Sequence, residues 1–407
     1  MSFEIDNVGP KELGKGLTKE EIKESFDKLL ESDYESLADF IKDKSLLFIV
    51  NDMKRPTPTA IFLESIYEYL NEKNIDLFDR ELAVIFATGT HDPPNEEDVN
   101  VILGELYDEL EPKILIHRAK ENDYILIGKT GRGTPIKIDK NIMGYDRIIN
   151  INSLEPHYFA GFTGGRKSLL PGICDWDTIK ENHELALDDK SKPLSLDDNP
   201  VHLDANDAAE KIIDYLDSKF LSINSVCKSQ NVYSVKTGDF FKTFNSQIDV
   251  SKDIFTSKID KKADIVIART AEPSNKNLYQ SLKSFENSKL ICKDRGVLIL
   301  VSECYEGIGP RDFYNQLSSC ENPKEIIDMV YEDYPFGGHI GVNILRFLEN
   351  HSFYIVSELD DQIIENCFCR PFGTVTEALN EALSEVKTEI PHIVEIYEAN
   401  NFVPFKD

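Results

Sequence analysis

Three loops of this chain carry residue types that do chemistry. The densest is Glu155-Pro156-His157-Tyr158-Phe159-Ala160-Gly161-Phe162-Thr163-Gly164-Gly165-Arg166-Lys167, followed by Ser168 and later by Asn182-His183. Gly161, Gly164 and Gly165 let backbone amides approach a ligand closely, and Arg166 and Lys167 add positive charge. From Gly161 the spacing comes near GxxxxGK[ST], with Lys167 and Ser168 in place. Arg166, however, stands where the second glycine is required, and Tyr158 to Ala160 is no full buried strand, so this is not a Walker loop. A neutral lysine is a nucleophile toward an activated carbonyl, and a neutral histidine such as His183 is a metal ligand. A glycine-rich surface turn with solvated cations has the same composition.

The second loop is Thr88-Gly89-Thr90-His91-Asp92-Pro93-Pro94. Imidazole titrates near neutrality, so His91 is a candidate proton carrier, or else a histidine that only hydrogen-bonds its own loop. The third loop runs from Asn51 to Thr59 and holds Asp52, Lys54, Arg55, two prolines and two threonines. Cations and hydroxyls just before a helix N-terminus suit a phosphate or carboxylate, and also suit a proline-stiffened βα loop with solvated charges. Other segments carry less. Cys367-Phe368-Cys369 reads as buried strand cysteines, His202 as a capping residue, His117, His351 and His392 as structural, and Gly307-Ile308-Gly309 as a loop lining a cleft.

The elements that must position these loops alternate between short apolar strands and amphipathic helices. Ser45–Val50, Leu82–Ala87, Tyr124–Ile127 and Ile148–Ile151 read as strands, as do Asp264–Ala268, Val297–Val301 and Phe353–Ser357. Helices follow over Ala60–Leu70, from Asn95 as a cap before Glu96, Glu97 and Asp98, and over Asn277–Phe285, Thr376–Val386 and onward from Arg311. The expectation is an α/β protein of two domains with mainly parallel sheets and an active-site cleft between them, with ligands at the carboxyl ends of strands. The Lys-, Ser- and Asp-rich stretch Gln230–Lys262 reads as a linker between an N-terminal cofactor-binding domain (about residues 1–250) and a C-terminal substrate-side domain (about residues 260–407). Asp188–Asn199 reads as a surface excursion.

With 407 residues, 45 Lys+Arg and 73 Asp+Glu, the formal net charge is −28. That balance argues against nucleic acid or an anionic membrane as partner, since both are polyanions. No apolar run approaches the ~20 residues of a membrane span. Met1–Pro10 has no export-signal pattern, and the seven scattered cysteines read as free thiols, which together place the protein in the cytoplasm.

Taken jointly, the segments resemble the lactate racemase family, whose members use a nickel-pincer nucleotide. The family pattern D-x-x-R-P-T-P matches Asp52 to Pro58, G-T-H matches Gly89 to His91, and P-H-x-F-A-G-[FY]-[ST]-G-G-x-K matches Pro156 to Lys167. N-H follows at Asn182-His183, N-P-V-H at Asn199 to His202, and N-L-Y-Q-x-x-K at Asn277 to Lys283. The resemblance implies an isomerase that inverts C2 of a 2-hydroxy acid by reversible hydride transfer. It implies nickel within a pyridinium-3-thioamide-5-thiocarboxylic acid mononucleotide joined covalently to Lys167, with His183 as a nickel ligand. Asp52, Lys54, Arg55, Gly164, Gly165 and Arg166 would hold the nucleotide. His91 and His157 would be the acid/base pair, and Tyr279, Gln280 and Lys283 would hold the substrate carboxylate. Proteins that make and insert the cofactor are the implied partners besides the small-molecule substrate. The alternatives are a non-catalytic hydroxy-acid binder and a phosphate-binding hydrolase on a similar α/β fold. Two departures from the family pattern bear on substrate. The only tryptophan is Trp176, and the second-domain region that holds one in the lactate enzyme reads Tyr334-Pro335-Phe336-Gly337-Gly338-His339-Ile340. Asp92 follows the G-T-H where arginine is common. His339 either meets a second polar group of a larger 2-hydroxy acid or is packed.

Overall fold

The computed structural model describes residues 3–55 and 57–406; Met1, Ser2, Asp407 and Pro56 of the loop Asn51 to Thr59 lie outside the described residues. The chain builds two six-stranded sheets. In the first, the order is Asn231–Gly238, Lys219–Lys228, Arg147–Ser153, Leu46–Val50, Leu82–Phe86, Ile114–Ile116. All its pairings are parallel except the hairpin that joins the first two strands. In the second, the order is Glu4–Val8, His392–Ile396, Ala263–Arg269, Cys292–Val301, Ser352–Val356, Arg370–Phe372, and every pairing is parallel.

Strands of a parallel sheet are covered on both faces and so read as continuous apolar runs. Leu46-Leu47-Phe48-Ile49-Val50 is buried at every position. Leu46, Phe48 and Val50 face a core shared with Phe62 and Ile66 of the helix Thr59–Glu72. Leu47 and Ile49 face the opposite core, with Leu169, Ile173 and Ile212. The second sheet repeats this division. Val266, Ala268, Leu298 and Leu300 pack toward Leu282 and Phe285 of the helix Leu278–Ser288, while Ile265, Ile267, Val297 and Ile299 pack toward Ala378 and Ala382. Each buried Val, Leu, Ile or Phe among these contributes about 1.5–3 kcal/mol. Rigid strands therefore fix where the loops at their carboxyl ends begin.

Three elements differ from the sequence expectation. Gln230–Lys262 is no linker: it forms the strand Asn231–Gly238 and the helix Phe240–Phe255. Thr243 and Gln247 of this helix are buried because they bond polar groups of the sheet. Thr243 accepts from the Asn224 side chain at 2.8 Å, and the Gln247 amide donates to the Asn224 carbonyl at 3.1 Å. The exposed strand Glu4–Val8 pairs with His392–Ile396, so the chain begins in the C-terminal sheet. Tyr124–Lys129 pairs antiparallel with Pro135–Asp139 in a separate ribbon.

The excursion Asp188–Asn199 packs against the back of the glycine-rich segment. Leu194 donates its amide to the Gly161 carbonyl at 3.2 Å. Gly161 has φ +76, and a Cβ there would stand 2.1 Å from the Ser195 carbonyl oxygen. Gly161→Ala is expected to lower stability by about 1–3 kcal/mol or more, because the contact is with backbone and the conformation disfavours a side chain. Urea unfolding of the two proteins measures it, and an unchanged midpoint would contradict this packing.

Candidate active site

Leu46–Val50 and Leu82–Phe86 are neighbours in the sheet, so the loops that follow them meet. Asp52, 6% exposed, comes from the first loop and His91 from the second. His91 Nδ1 lies 2.6 Å from Asp52 Oδ2, while Asp52 Oδ1 accepts the Lys54 amide at 3.1 Å. An ionised carboxylate only accepts, so Nδ1 carries the ring proton and Nε2 keeps its lone pair. The loop is pinned by the Gly89 amide on the Gly172 carbonyl at 3.1 Å and the Thr88 hydroxyl on the His117 carbonyl at 2.7 Å. Burial pulls the His91 pKa below the ordinary value, against the opposing pull of Asp52. Lys54 itself stays exposed.

The glycine-rich segment leaves Arg147–Ser153 and folds back as a two-stranded ribbon, Pro156–His157 against Gly161–Phe162. His157 is 7% exposed, and its Nδ1 accepts the Ala160 amide at 3.2 Å. The Gly165 amide donates to the Asn152 side chain at 3.0 Å, and a Cβ on Gly165 would stand 2.8 Å from the Phe244 ring. That glycine permits close packing, and its amide already has a protein acceptor. Arg166 and Lys167 part company at the turn. Arg166, 1% exposed, donates to the carbonyls of Ala160 at 2.7 Å and Phe162 at 3.0 Å and lies over Phe244. No carboxylate meets it among the described residues, and burial pulls its pKa down to about 9. Lys167 is half-buried, with its amine 5.5 Å from the centre of the Phe159 ring. Burial first, then Arg55 and Arg166, hold its pKa well below the ordinary lysine value.

His183 lies on the helix Trp176–Glu184, which Asp175 caps. Its ring is 5.2 Å from Phe159 and 5.3 Å from Phe336. Nδ1 is buried without a hydrogen bond of ordinary geometry, near the Ile179 carbonyl one turn back, which leaves Nε2 as the nitrogen a ligand can reach. Burial and then Lys167 hold its pKa well below the ordinary histidine value.

The second domain contributes the helix Leu278–Ser288, capped by Asn277, which accepts the Gln280 amide at 3.0 Å. Tyr279, Gln280 and Lys283 are half-buried and share one side of that helix by their i, i+3 and i, i+4 spacing. Burial, then the charge of Arg55, pulls the Lys283 pKa down to about 8, with Glu155 opposing. Arg55 acts on His91, His157, Lys167 and Lys283 alike, which gathers residues from both domains around one space.

Sequence reasoning named several neighbours without giving them these contacts. Glu155 faces Arg55 and Lys283, and burial pushes its carboxyl pKa up. Phe159 is the ring that Lys167, His157, His183 and His339 share. Tyr334 of the second domain donates its hydroxyl to the His183 carbonyl at 3.2 Å and contacts His339 Nδ1 at 2.8 Å. The only signal was an acid and aromatics interleaved with the His and Gly positions. Among the described residues no group of three or more His, Cys, Asp or Glu could hold a metal ion. A metal here would draw most of its donors from a ligand.

Asp52→Asn tests the dyad. Removing the carboxylate removes the pull that raises the His91 pKa, so its midpoint should move further below about 6.5. Histidine NMR titration reads this, and an upward or absent shift would argue against the contact.

Comparison with known proteins gives a family for this arrangement. A lactate racemase N-terminal domain model matches residues 7–194, and a lactate racemase C-terminal domain model matches residues 259–399. Lactate racemase of Thermoanaerobacterium thermosaccharolyticum is 28% identical over 355 residues, covering 85% of this chain and 81% of that one. Lactate racemase of Lactiplantibacillus plantarum is 27% identical over 377 residues, covering 89% and 86%. The solved lactate racemase apoprotein from T. thermosaccharolyticum superposes with a TM-score of 0.86 at 25% identity, over 96% of this chain and 93% of that chain. A Thermotoga maritima protein shares the fold, with a TM-score of 0.71 at 17% identity over 97% and 99% of the two chains. With both of its domains matched in order and its whole fold superposed, the chain belongs to the lactate racemase family and is an isomerase.

Proposed function

We propose that this protein is a racemase or epimerase that inverts C2 of a 2-hydroxy acid, working with a nickel-pincer nucleotide tethered to Lys167. The observation that carries this is the pairing of Lys167 and His183 around Phe159: an amine held toward its neutral form and an imidazole with a reachable Nε2. The residues fit such a group. Lys167 meets no carboxylate among the described residues, His183 supplies one nitrogen, and no protein cluster competes for the metal. Soft donors of such a group beside one imidazole would suit Ni(II). Bound there, the group would supply a reversible hydride acceptor for C2.

The remaining work falls to side chains. Lys283 and Gln280, aided by Tyr279, hold the carboxylate, and Arg55 adds charge on the facing loop. Arg55 and Lys54 form the nucleotide side, while the turn at Gly164, Gly165 and Arg166, tied to Asn152 and to its own carbonyls, sets where Lys167 stands. His91 and His157 serve the C2 oxygen as the acid/base pair. Loss of hydride leaves a planar 2-keto acid, and presenting its opposite face gives the other antipode. Retaining that keto acid needs a space shielded from water, which two apposed domains supply. Proteins that build and insert the nucleotide are the expected partners. Among the described residues no helix is long and apolar enough to cross a membrane. The second-domain segment Tyr334–Ile340 stands where the lactate enzyme has a tryptophan, so the test spans lactate and larger 2-hydroxy acids.

Protein produced with a cofactor-assembly pathway should gain mass on Lys167, bind one nickel per chain, and invert at least one 2-hydroxy acid. Lys167→Ala should show no added mass, and His183→Ala should lose nickel. Intact-mass spectrometry, metal analysis and chiral chromatography measure these. A loaded protein that inverts none of a broad panel of 2-hydroxy acids would refute the activity.

A further inference from the structure

His183 is the proposed nickel ligand, yet its ring lacks the support such a ligand ordinarily has. A metal-bound histidine donates its second N–H to a carboxylate or a carbonyl, and that bond fixes the rotation of the ring. His183 Nδ1 is buried without a bond of ordinary geometry, near the Ile179 carbonyl of its own helix. Within the first domain, Asn182 donates to Asp204 at 2.9 Å and to the Val201 carbonyl at 3.3 Å. Those bonds tie down the helix without bonding the His183 ring.

The missing support comes from the other domain. The buried hydroxyl of Tyr334 meets three groups: the Gly337 amide at 3.3 Å, His339 Nδ1 at 2.8 Å and the His183 carbonyl at 3.2 Å. An amide only donates and a carbonyl only accepts. The one hydroxyl proton therefore goes to His183, and His339 Nδ1–H donates to the Tyr334 oxygen beside the Gly337 amide. Both lone pairs of that oxygen are then occupied, so the hydroxyl has a single aim. Phe336, two residues on, lies against the His183 ring at 5.3 Å with 32° between the planes. Trp176 backs Phe336 at 4.8 Å.

We infer that Tyr334, together with Phe336, is a positioning residue for His183, so that the second domain sets how firmly the metal ligand is held. The inference rests on the nickel reading proposed above. Tyr334 acts through the backbone of His183, since its hydroxyl is taken up by three protein groups. With the domains apposed, the His183 carbonyl and ring are both held, and Nε2 keeps one direction. When they part, the two contacts leave together and the ring regains its rotation. Nickel is thus held most firmly in the closed protein. A bond of the same kind stands nearby at the junction: Tyr331 donates to the Leu187 carbonyl at 3.2 Å and does not bond His183. It separates the positioning of His183 from domain contact in general.

The test challenges the cofactor-loaded full chain with excess EDTA, following nickel by metal analysis and the Lys167 adduct by intact mass. Tyr334→Phe should release nickel about tenfold faster than wild type while the added mass stays on Lys167. Phe336→Leu should also release it faster, and it carries the test if Y334F does not fold. Tyr331→Phe should match wild type. Release from Y334F at the wild-type rate would overturn the assignment. So would an equal acceleration in Y331F, which would make the effect one of domain contact alone. Metal-free protein labelled with 13C-histidine gives a second reading by NMR: the His183 ring signal should shift or broaden in Y334F and stay in place in Y331F. If wild-type protein takes up no nickel, the nickel reading fails. A His183 signal indifferent to Y334F overturns the positioning role separately.

Discussion

Desolvation, more than charge pairing, sets the state of the nitrogens in this cleft. Burial is the largest influence on Lys167, His157, His183, Lys283 and Arg166, and it disfavours the charged form of each. A protein with 73 acidic residues could have paired each with a carboxylate. Instead, among the described residues, Lys167, His157, His183 and Arg166 form no ion pair, and Asp52 is spent on His91. Pairing would hold lysine and histidine protonated, and a protonated nitrogen is neither nucleophile, ligand nor base. Asp52 is the exception that clarifies the rule. It bonds the single nitrogen, His91 Nδ1, whose proton must be kept so that the other nitrogen stays bare.

That desolvated cluster needs a stiff support, and a polar one lies directly beneath it. Asn150, Asn152, Ser222, Asn224 and Ser225 are buried on the two adjacent strands under the glycine turn. Asn152 accepts the Gly165 amide, and Asn224 donates to Ser222 at 2.9 Å and to Thr243 at 2.8 Å. Buried polar networks with partners at fixed distances hold one geometry in a way that interchangeable apolar contacts do not. Arg166 tightens the same turn by bonding two of its carbonyls. The charge that looked, in sequence, like a phosphate contact thus fastens the loop, and Lys167 is the member of the pair that reaches the cleft.

Local pattern made much of this legible. Apolar runs such as Leu46–Val50 announced buried parallel strands, and the loops after them held Asp52, Arg55, His91 and His157. The Asp52–His91 bond was not legible, because it depends on two strands 36 residues apart being neighbours in the sheet. Phe240–Phe255 escaped notice for a different reason. Its buried face interleaves Thr243, Gln247 and Ser251, which hydrogen-bond, with Phe240, Phe244, Ile254 and Phe255, so the apolar stripe is broken by polar residues. Glu4–Asn7 is exposed and only Val8 is half-buried, so nothing in the pattern ties this strand to one near the other end of the chain. Tyr334, Phe336 and His339 were singled out only by position, since their partners lie on the other domain.

Those partners show why the site needs both domains in contact. An aromatic file runs from Trp176 to Phe336 at 4.8 Å, to His183 at 5.3 Å, and to Phe159 at 5.2 Å. Phe336 belongs to the second domain and the other three to the first. Around it, Tyr331 donates to the Leu187 carbonyl at 3.2 Å, Arg346 to the same carbonyl at 2.7 Å, and Tyr334 to the His183 carbonyl. Val330, Tyr334 and Val342 close an apolar patch on Leu187. The His183 helix is therefore covered by the second domain, and with it the space that Lys167 shares. Water admitted at this junction would restore solvation to the cleft nitrogens and return them toward their ordinary, charged states. The second domain thus does more than present Lys283 to the cleft, because its contact with the His183 helix helps exclude the water on whose absence the chemistry of the first domain depends.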